Sequence, residues 1–269
     1  MLISEIFGYI GALAIGLTLG LTGAGGSILT VPILVYLLGY EAVVSTGYSL
    51  FIVGCTAAVG AIRNLIKGFT KVKVAIWFGL PSMLSIFITR KFIIPSIPSE
   101  IGNVGSLVFT KEIAVMMLFA SLMIFSGLRM VKRKKENTKV EILEIKYSRL
   151  IFQGLFVGVL TGLVGAGGGF LIVPALVIMA NLPMKNAVGT SLLIIATNSM
   201  VGFLGDLSNR SMDWGFLLPF AAIAIAGIFV GMSLADKVNG AQLKRGFGYF
   251  VLAVAGFILF NEIGSIFYP

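Results

Sequence analysis

The chain has 269 residues and a net charge of +9, and its mean hydropathy is +1.03, with 58% hydrophobic and 12% charged residues. Soluble domains carry about 25% charged residues, so this composition excludes an ordinary soluble protein and predicts an integral membrane protein. The positive charge does not indicate nucleic-acid binding, because the basic residues stand in short loops between apolar runs, as they do in the cytoplasmic loops of membrane proteins.

Eight apolar runs suited to membrane helices follow one another along the chain. In chain order they are Ile3–Leu38, Val43–Ile62, Val72–Thr89, Ile113–Val131, Leu150–Ala180, Ala187–Leu207, Trp214–Ala235 and Phe247–Phe260. A membrane helix needs roughly 20 mostly apolar residues, so little of the chain is left for a soluble domain. The first run continues past any cleavage point and is interpreted as a mature span rather than a signal peptide. We therefore predict an all-α, multi-pass protein of the cell (plasma) membrane.

The first and fifth runs contain the same glycine-rich sequence. Gly16–Pro32 and Gly158–Pro174 are identical at 10 of 17 aligned positions, at a constant offset of 142 residues. Glycine-broken apolar segments at corresponding places in two halves of a membrane protein indicate the binding site of a transporter. The sequence around Gly47 matches that around Gly189 at the same offset, and Gly60 matches Gly202.

This repeat divides the chain into three parts. Residues 1–131 and 149–269 are predicted to be two homologous transmembrane repeats, and residues 132–148 a basic cytoplasmic linker.

Two orientations of the repeats are possible. If each glycine-broken run crosses the membrane once, the repeats are parallel, and Lys and Arg divide 13 inside against 7 outside. If each run instead re-enters, the repeats are inverted and the division becomes 16 inside against 4 outside, which the positive-inside rule favours. Ile3–Leu38 would be about 54 Å long as one helix, against a hydrocarbon core of about 30 Å, so a full span with a short return helix fits better. Each repeat would then have five segments, up to ten in all.

The glycine clusters could form the binding site itself. Non-helical backbone at membrane depth is tolerated only where it is buried in protein or lines a wet cavity. A helix that restarts after such a bend directs free N–H groups and its positive dipole end into the site, which suits an anion. The predicted substrate-binding residues of the clusters are Gly23, Gly25, Gly26, Ser27, Gly165, Gly167, Gly168 and Gly169. A bend without anion contact is the alternative.

Other glycines recur at four-residue spacing, which lets membrane helices approach closely. For these glycines we predict helix packing rather than binding: Gly16, Gly20, Gly154, Gly158 and Gly162.

Hydroxyl and amide side chains follow each cluster at the next predicted span. Ser49, Thr190 and Ser191 could donate to an oxyanion, although helix capping and interhelical hydrogen bonds are alternatives. Asn198 lies nearer mid-span, where a polar residue is a functional candidate by default, and it could orient the solute.

Charged residues stand mostly at the ends of the predicted spans. For Arg63, Arg129 and Asp206 we expect snorkelling to the interface. Asp206 or Glu41 could instead bind a coupling proton. The chain has no histidine and a single cysteine, so metals and haem have few ligands and we predict no cofactor and no metal site.

The doubled Gly-x-x-x-Gly-x-x-Gly-Ala-Gly-Gly-x-x-x-x-x-Pro run, with Ala187–Leu192 after the second copy, resembles the sulfite exporter TauE/SafE family of membrane permeases. The resemblance covers essentially the whole chain. It implies a permease for small anions such as sulfite, sulfonates or related organosulfur acids. The first repeat departs from the pattern at Tyr48, where the second has Thr190.

We therefore expect a secondary carrier, not an enzyme, that moves a small organosulfur anion by alternating access between the repeats. An anion channel with the same backbone-lined site is the alternative. A membrane enzyme acting on lipid is disfavoured by the lack of histidine and of clustered acids. The expected partners are the small anionic solute and the lipid bilayer, without nucleic acid. A proton or sodium is the possible coupling ion, and the oligomeric state is left open.

Overall fold

The computed structural model describes residues 2–98, 100–104, 107–131, 147–164, 169–207 and 212–267. Most of this part of the chain is helical. Its α-helices are α1 Leu2–Thr22, α2 Gly25–Pro32, α3 Ala42–Ile66, α4 Val72–Ile88, α5 Ile94–Ser96, α6 Lys111–Val131, α7 Tyr147–Val164, α8 Gly169–Pro174, α9 Met184–Leu207, α10 Trp214–Lys237 and α11 Gly240–Phe267.

Two further kinds of element interrupt or extend these helices. π-Helical segments continue α2, α4 and α8 over Ile33–Leu37, Thr89–Ile93 and Ala175–Met179. Strands β1 (Glu100–Val104) and β2 (Leu107–Thr110) pair antiparallel between α5 and α6, so the all-α prediction missed one short hairpin.

The helices have the length and composition of membrane spans. Six of them within the described residues are long and apolar enough to cross a membrane, and four shorter apolar helices accompany them. Large apolar side chains face outward: Ile66, Phe260 and Phe152 are 83, 79 and 73% exposed. Outward apolar surface on this scale suits contact with lipid. The predicted multi-pass membrane protein is confirmed, while the count of eight full spans stays a prediction.

The first apolar run forms a hairpin and not one long helix. α1 ends at Thr22 and α2 begins at Gly25. The chain then runs back along α1, because Gly26 lies against Ile15 and Gly8 lies against Leu38. The turn between the helices depends on Gly23, whose φ of +72° is a conformation that residues with a Cβ rarely adopt.

Corresponding helices of the two repeats pack in the same way. α1 lies along α10, with Gly16 against the backbone of Ala224, and α7 lies along α4, with Gly158 against the backbone of Ser82. At the offset of 142 residues, Gly158 corresponds to Gly16 and Ser82 corresponds to Ala224. In each contact, the first helix of one repeat packs on a helix of the other repeat. Corresponding helices of the two halves therefore make matching contacts. The predicted packing role of the spaced glycines is confirmed by the equally close contacts of Gly20, Gly154 and Gly162.

The central pair of helices is antiparallel. α3 and α9 occupy corresponding places in the two repeats and pack against each other. Near the start of α3, a Cβ on Gly47 would stand 3.0 Å from Asp206 Oδ2, at the end of α9. Near the end of α3, a Cβ on Gly60 would stand 3.2 Å from Leu192 Cδ1, early in α9. These two helices therefore lie side by side and run in opposite directions.

Candidate functional site

The last residue of the second glycine cluster, Gly169, approaches the first cluster in the interior of the molecule. A Cβ on Gly169 would stand 2.8 Å from Ser27 Oγ and 3.2 Å from Ala24 Cα. Ser27 and Gly169 are corresponding residues of the two halves of the sequence. Both are buried. The other predicted members of the second cluster lie outside the described residues: Gly165, Gly167 and Gly168.

Several backbone amides at the first bend already have partners within the protein. The Gly23 N–H donates to Leu19 O at 2.7 Å, and the Ser27 N–H donates to Ala24 O at 3.2 Å. The Gly25 N–H donates to Thr22 Oγ1 at 2.7 Å. An anion at Gly25 would therefore have to replace this hydroxyl. Gly26 follows at the second position of α2 and is buried.

Thr22 is a site residue that the sequence analysis missed. Its hydroxyl donates to Thr18 O at 2.8 Å while it accepts from the Gly25 N–H at 2.7 Å, so the last side chain of α1 holds the first amide of α2. No sequence rule marks this contact, because it depends on how the chain turns between the two helices. The corresponding residue in the second repeat is Val164, which has no hydroxyl.

Two corresponding serines differ in their hydrogen bonds. Ser191 on α9 donates to Gly23 O at 3.1 Å and to Val188 O at 2.9 Å, so it contacts the first bend. Ser49 on α3 is fully buried, and its Oγ has no hydrogen-bond partner in the described part of the chain. A buried hydroxyl without a partner is unfavourable, so Ser49 remains a candidate for contact with a solute.

Thr190 has a structural contact. Its Oγ1 accepts from the Lys71 N–H at 2.9 Å, and Thr70 Oγ1 donates to Gly189 O at 3.2 Å. These bonds fix the connection before α4 to α9. They correspond to the alternative of interhelical hydrogen bonds and not to capping.

Asn198 bridges two helices. Its Nδ2 donates to Ser82 Oγ at 2.6 Å, which ties α9 to α4. Its Oδ1 is buried and has no hydrogen-bond partner within the described residues. The side chain thus makes an interhelical bond and keeps an acceptor that a second group could use.

A buried ion pair was not predicted. Arg90 is 1% exposed, and its Nη1 lies 3.0 Å from Asp206 Oδ2 and donates to Thr46 Oγ1 at 3.1 Å. The expectation that Asp206 reaches the membrane interface is wrong, because the residue is buried against α4 and its π-helical extension. Residues this far apart in sequence meet only through the packing of α9 on α4, which no local pattern reveals.

A small cavity opens at one end of the helical bundle. Its volume is about 30 Å³, enough for roughly one water molecule. The residues that line it include Gly20, Asn64, Lys67, Lys185, Val188 and Met232. Because Val188 also contacts Gly23, the cavity lies beside the first bend.

These features define a class: a multi-pass helical membrane protein with a broken helix buried at its centre. The chain belongs to the Sulfite exporter TauE/SafE family, whose model matches residues 9–258. The family resemblance of the sequence is thereby confirmed. The protein is a membrane transporter and not an enzyme.

Relatives cover nearly the whole chain. A probable membrane transporter protein of Xylella fastidiosa strain 9a5c is 30% identical over 261 residues, which is 94% of each chain. One from Bacillus subtilis is 25% identical over 245 residues, 91% of this chain and 96% of the relative. One from Methanocaldococcus jannaschii is 27% identical over 244 residues, 86% of each. No solved structure matches the chain significantly.

Proposed function

We propose that this transporter is a secondary carrier for a small anion, namely sulfite, a sulfonate or a related organosulfur acid. It works by alternating access between two inverted repeats, α1–α6 and α7–α11. The observation that carries the proposal is the contact between corresponding positions of the two glycine clusters, where Ser27 meets Gly169. Broken helices that meet between repeats are typical of the substrate site in secondary carriers.

The direction of the central helices supports inversion. α3 and α9 are corresponding helices, and they pack antiparallel. Both are long and apolar enough to cross a membrane. If both cross it, equivalent ends of the two repeats face opposite sides. The division of Lys and Arg, 16 against 4, favours the same arrangement.

The chemistry of the bends suits an oxyanion. A restarting helix offers amide donors and a positive dipole end to an anion. In the first repeat Thr22 already accepts from the Gly25 amide. In the second repeat Val164 cannot play that part, so the amides of its cluster are the more available donors in this proposal. Ser49 adds a hydroxyl donor that is buried without a partner in the described part of the chain. The buried Oδ1 of Asn198 is an acceptor only, so in this proposal it faces a donor group of the solute and not its anionic oxygens.

The test is flux into liposomes that contain the purified protein. Radiolabelled sulfite or taurine should enter with saturable kinetics, and an excess of unlabelled solute on the far side should accelerate exchange. A carrier requires this counterflow. Flux that does not saturate, together with single-channel currents, would identify a channel and overturn the mechanism.

A matched pair of substitutions tests the bend. In Gly23→Ala the new Cβ would stand 2.8 Å from Val188 Cα, at a φ of +72°. Gly39 has the same φ of +72°, but nothing lies within 4 Å of its Cβ position, so Gly39→Ala controls for backbone strain alone. We expect flux to be lost in the first variant and kept in the second. Equal flux in the two variants would contradict the assignment of the first bend to the substrate site.

A further inference from the structure

The buried pair joins two candidate membrane spans: Arg90 lies in the last third of Val72–Ser96, and Asp206 is the last residue of Met184–Asp206. Charges inside membrane segments are costly, and those that occur usually serve a pathway or a ligand. A buried ion pair is also weak evidence for a role in stability, since apolar replacements of similar volume often stabilise as well.

The internal repeat provides a natural comparison for this pair. At the offset of 142, Arg90 corresponds to Met232 and Asp206 corresponds to Asn64. Met232 and Asn64 are buried, as the pair is, and they carry no charge. Because α10 packs on α1 as α4 packs on α7, this packing does not require the charges.

Residues on α3 near the pair correspond to residues on α9 that contact the first bend. Val188 and Ser191 on α9 contact Gly23. Their counterparts on α3 are Thr46 and Ser49.

These two counterparts differ in their hydrogen bonds. Thr46 Oγ1 accepts from Arg90 at 3.1 Å and donates to Val43 O at 2.8 Å. Ser49 Oγ, about one turn further along α3, is buried and has no hydrogen-bond partner in the described part of the chain. Arg90 and Thr89 begin a π-helical segment, a distortion that is frequent at functional sites.

We propose that Arg90, with the hydroxyl of Ser49, binds the substrate oxyanion, that Thr46 orients the guanidinium, and that Asp206 holds the guanidinium until the anion replaces its carboxylate. This inference rests on the proposed transport of a small oxyanion. A guanidinium binds carboxylate and sulfur oxyanions through the same planar set of N–H donors, so one can replace the other without moving the arginine.

The experiment measures thermal stabilisation of the purified protein by sulfite, sulfate and taurine, since a ligand that binds the native state raises its melting temperature. Asp206→Asn removes the competing charge and should lower the sulfite concentration for half-maximal stabilisation about tenfold, as loss of a charged hydrogen bond predicts. The double variant R90Q/D206N keeps a neutral polar pair. It should fold and lose the sulfite-dependent shift.

Three results would overturn the inference. One is a full sulfite shift in R90Q/D206N. A second is wild-type affinity in the exchanged variant R90D/D206R, which would show that only the pairing matters. A third is no shift with any of the three anions in wild type and D206N.

Flux assays separate this inference from the proposed carrier function. Binding that depends on Arg90, without flux in liposomes, would refute the carrier and keep the site. Saturable sulfite flux with unchanged KM in R90Q/D206N would refute the site and keep the carrier.

Discussion

The two ends of the helical bundle share one backbone arrangement and differ in their polar groups. At one end, Gly20, Asn64 and Met232 surround a cavity of about 30 Å³. At the other, the counterparts of Asn64 and Met232 are Asp206 and Arg90, which form a buried ion pair. The duplicated glycines therefore stand where the helices pack closely, whereas a few divergent positions give the two ends different polar groups.

The largest expected effect concerns the shared arrangement. Gly16→Leu would drive a side chain into the backbone of Ala224, and Gly158→Leu would do the same at Ser82. Overpacking against backbone leaves little room to relax, so we expect each variant to lose about 3 kcal/mol of stability and to express poorly. Gly256→Leu is the control, because nothing lies within 4 Å of its Cβ position. Yield and melting temperature in detergent measure the effect. If one glycine variant is tolerated and the other is not, the two contacts are not equivalent.

A smaller effect is expected when the buried ion pair is replaced by its uncharged counterparts from the other repeat. Arg90→Met alone leaves Asp206 buried without its guanidinium and should cost about 3 kcal/mol. The double variant R90M/D206N copies Met232 and Asn64 of the other repeat. Its free energy of unfolding should lie within about 1 kcal/mol of the wild-type value. Chemical denaturation in mixed micelles compares the three proteins. If the double variant is as unstable as the single one, the ion pair is a structural requirement at this end.

The smallest effect distinguishes the two corresponding serines. Ser191→Ala removes the hydrogen bond to Gly23 O and should cost about 1 kcal/mol. Ser49→Ala removes a hydroxyl that has no partner in the described part of the chain, so stability should stay the same or rise. Melting temperatures of the two variants, measured side by side, test this difference. A larger loss at Ser49 than at Ser191 would show that the hydroxyl at Ser49 is already satisfied.

Local sequence predicted the bend because its causes are local. A glycine cluster in the middle of an apolar run of 36 residues cannot continue a single membrane helix, and its recurrence at a fixed offset marks a repeat. The packing of Gly16 and Gly158 followed from their four-residue spacing in the same way.

The contacts that the sequence did not predict depend on tertiary packing. Arg90 follows an apolar run and Asp206 ends another, so each alone is typical of a residue at the interface. Only the packing of α9 on α4 buries them together. Thr190 was grouped with the binding hydroxyls because of its place in the repeat, yet its oxygen accepts from Lys71, a contact made by a connection rather than by a repeated element.

The glycine contacts between α1 and α10, and between α7 and α4, interlock the repeats. The first helix of each repeat packs on a helix of the other repeat. Neither repeat can therefore tilt as an independent body without moving a helix of the other. A fragment that ends at residue 131 would leave α1 and α4 without the surfaces they bury. In the proposed alternating-access cycle, opening at one face of such an interlocked pair would be mechanically tied to closure at the opposite face.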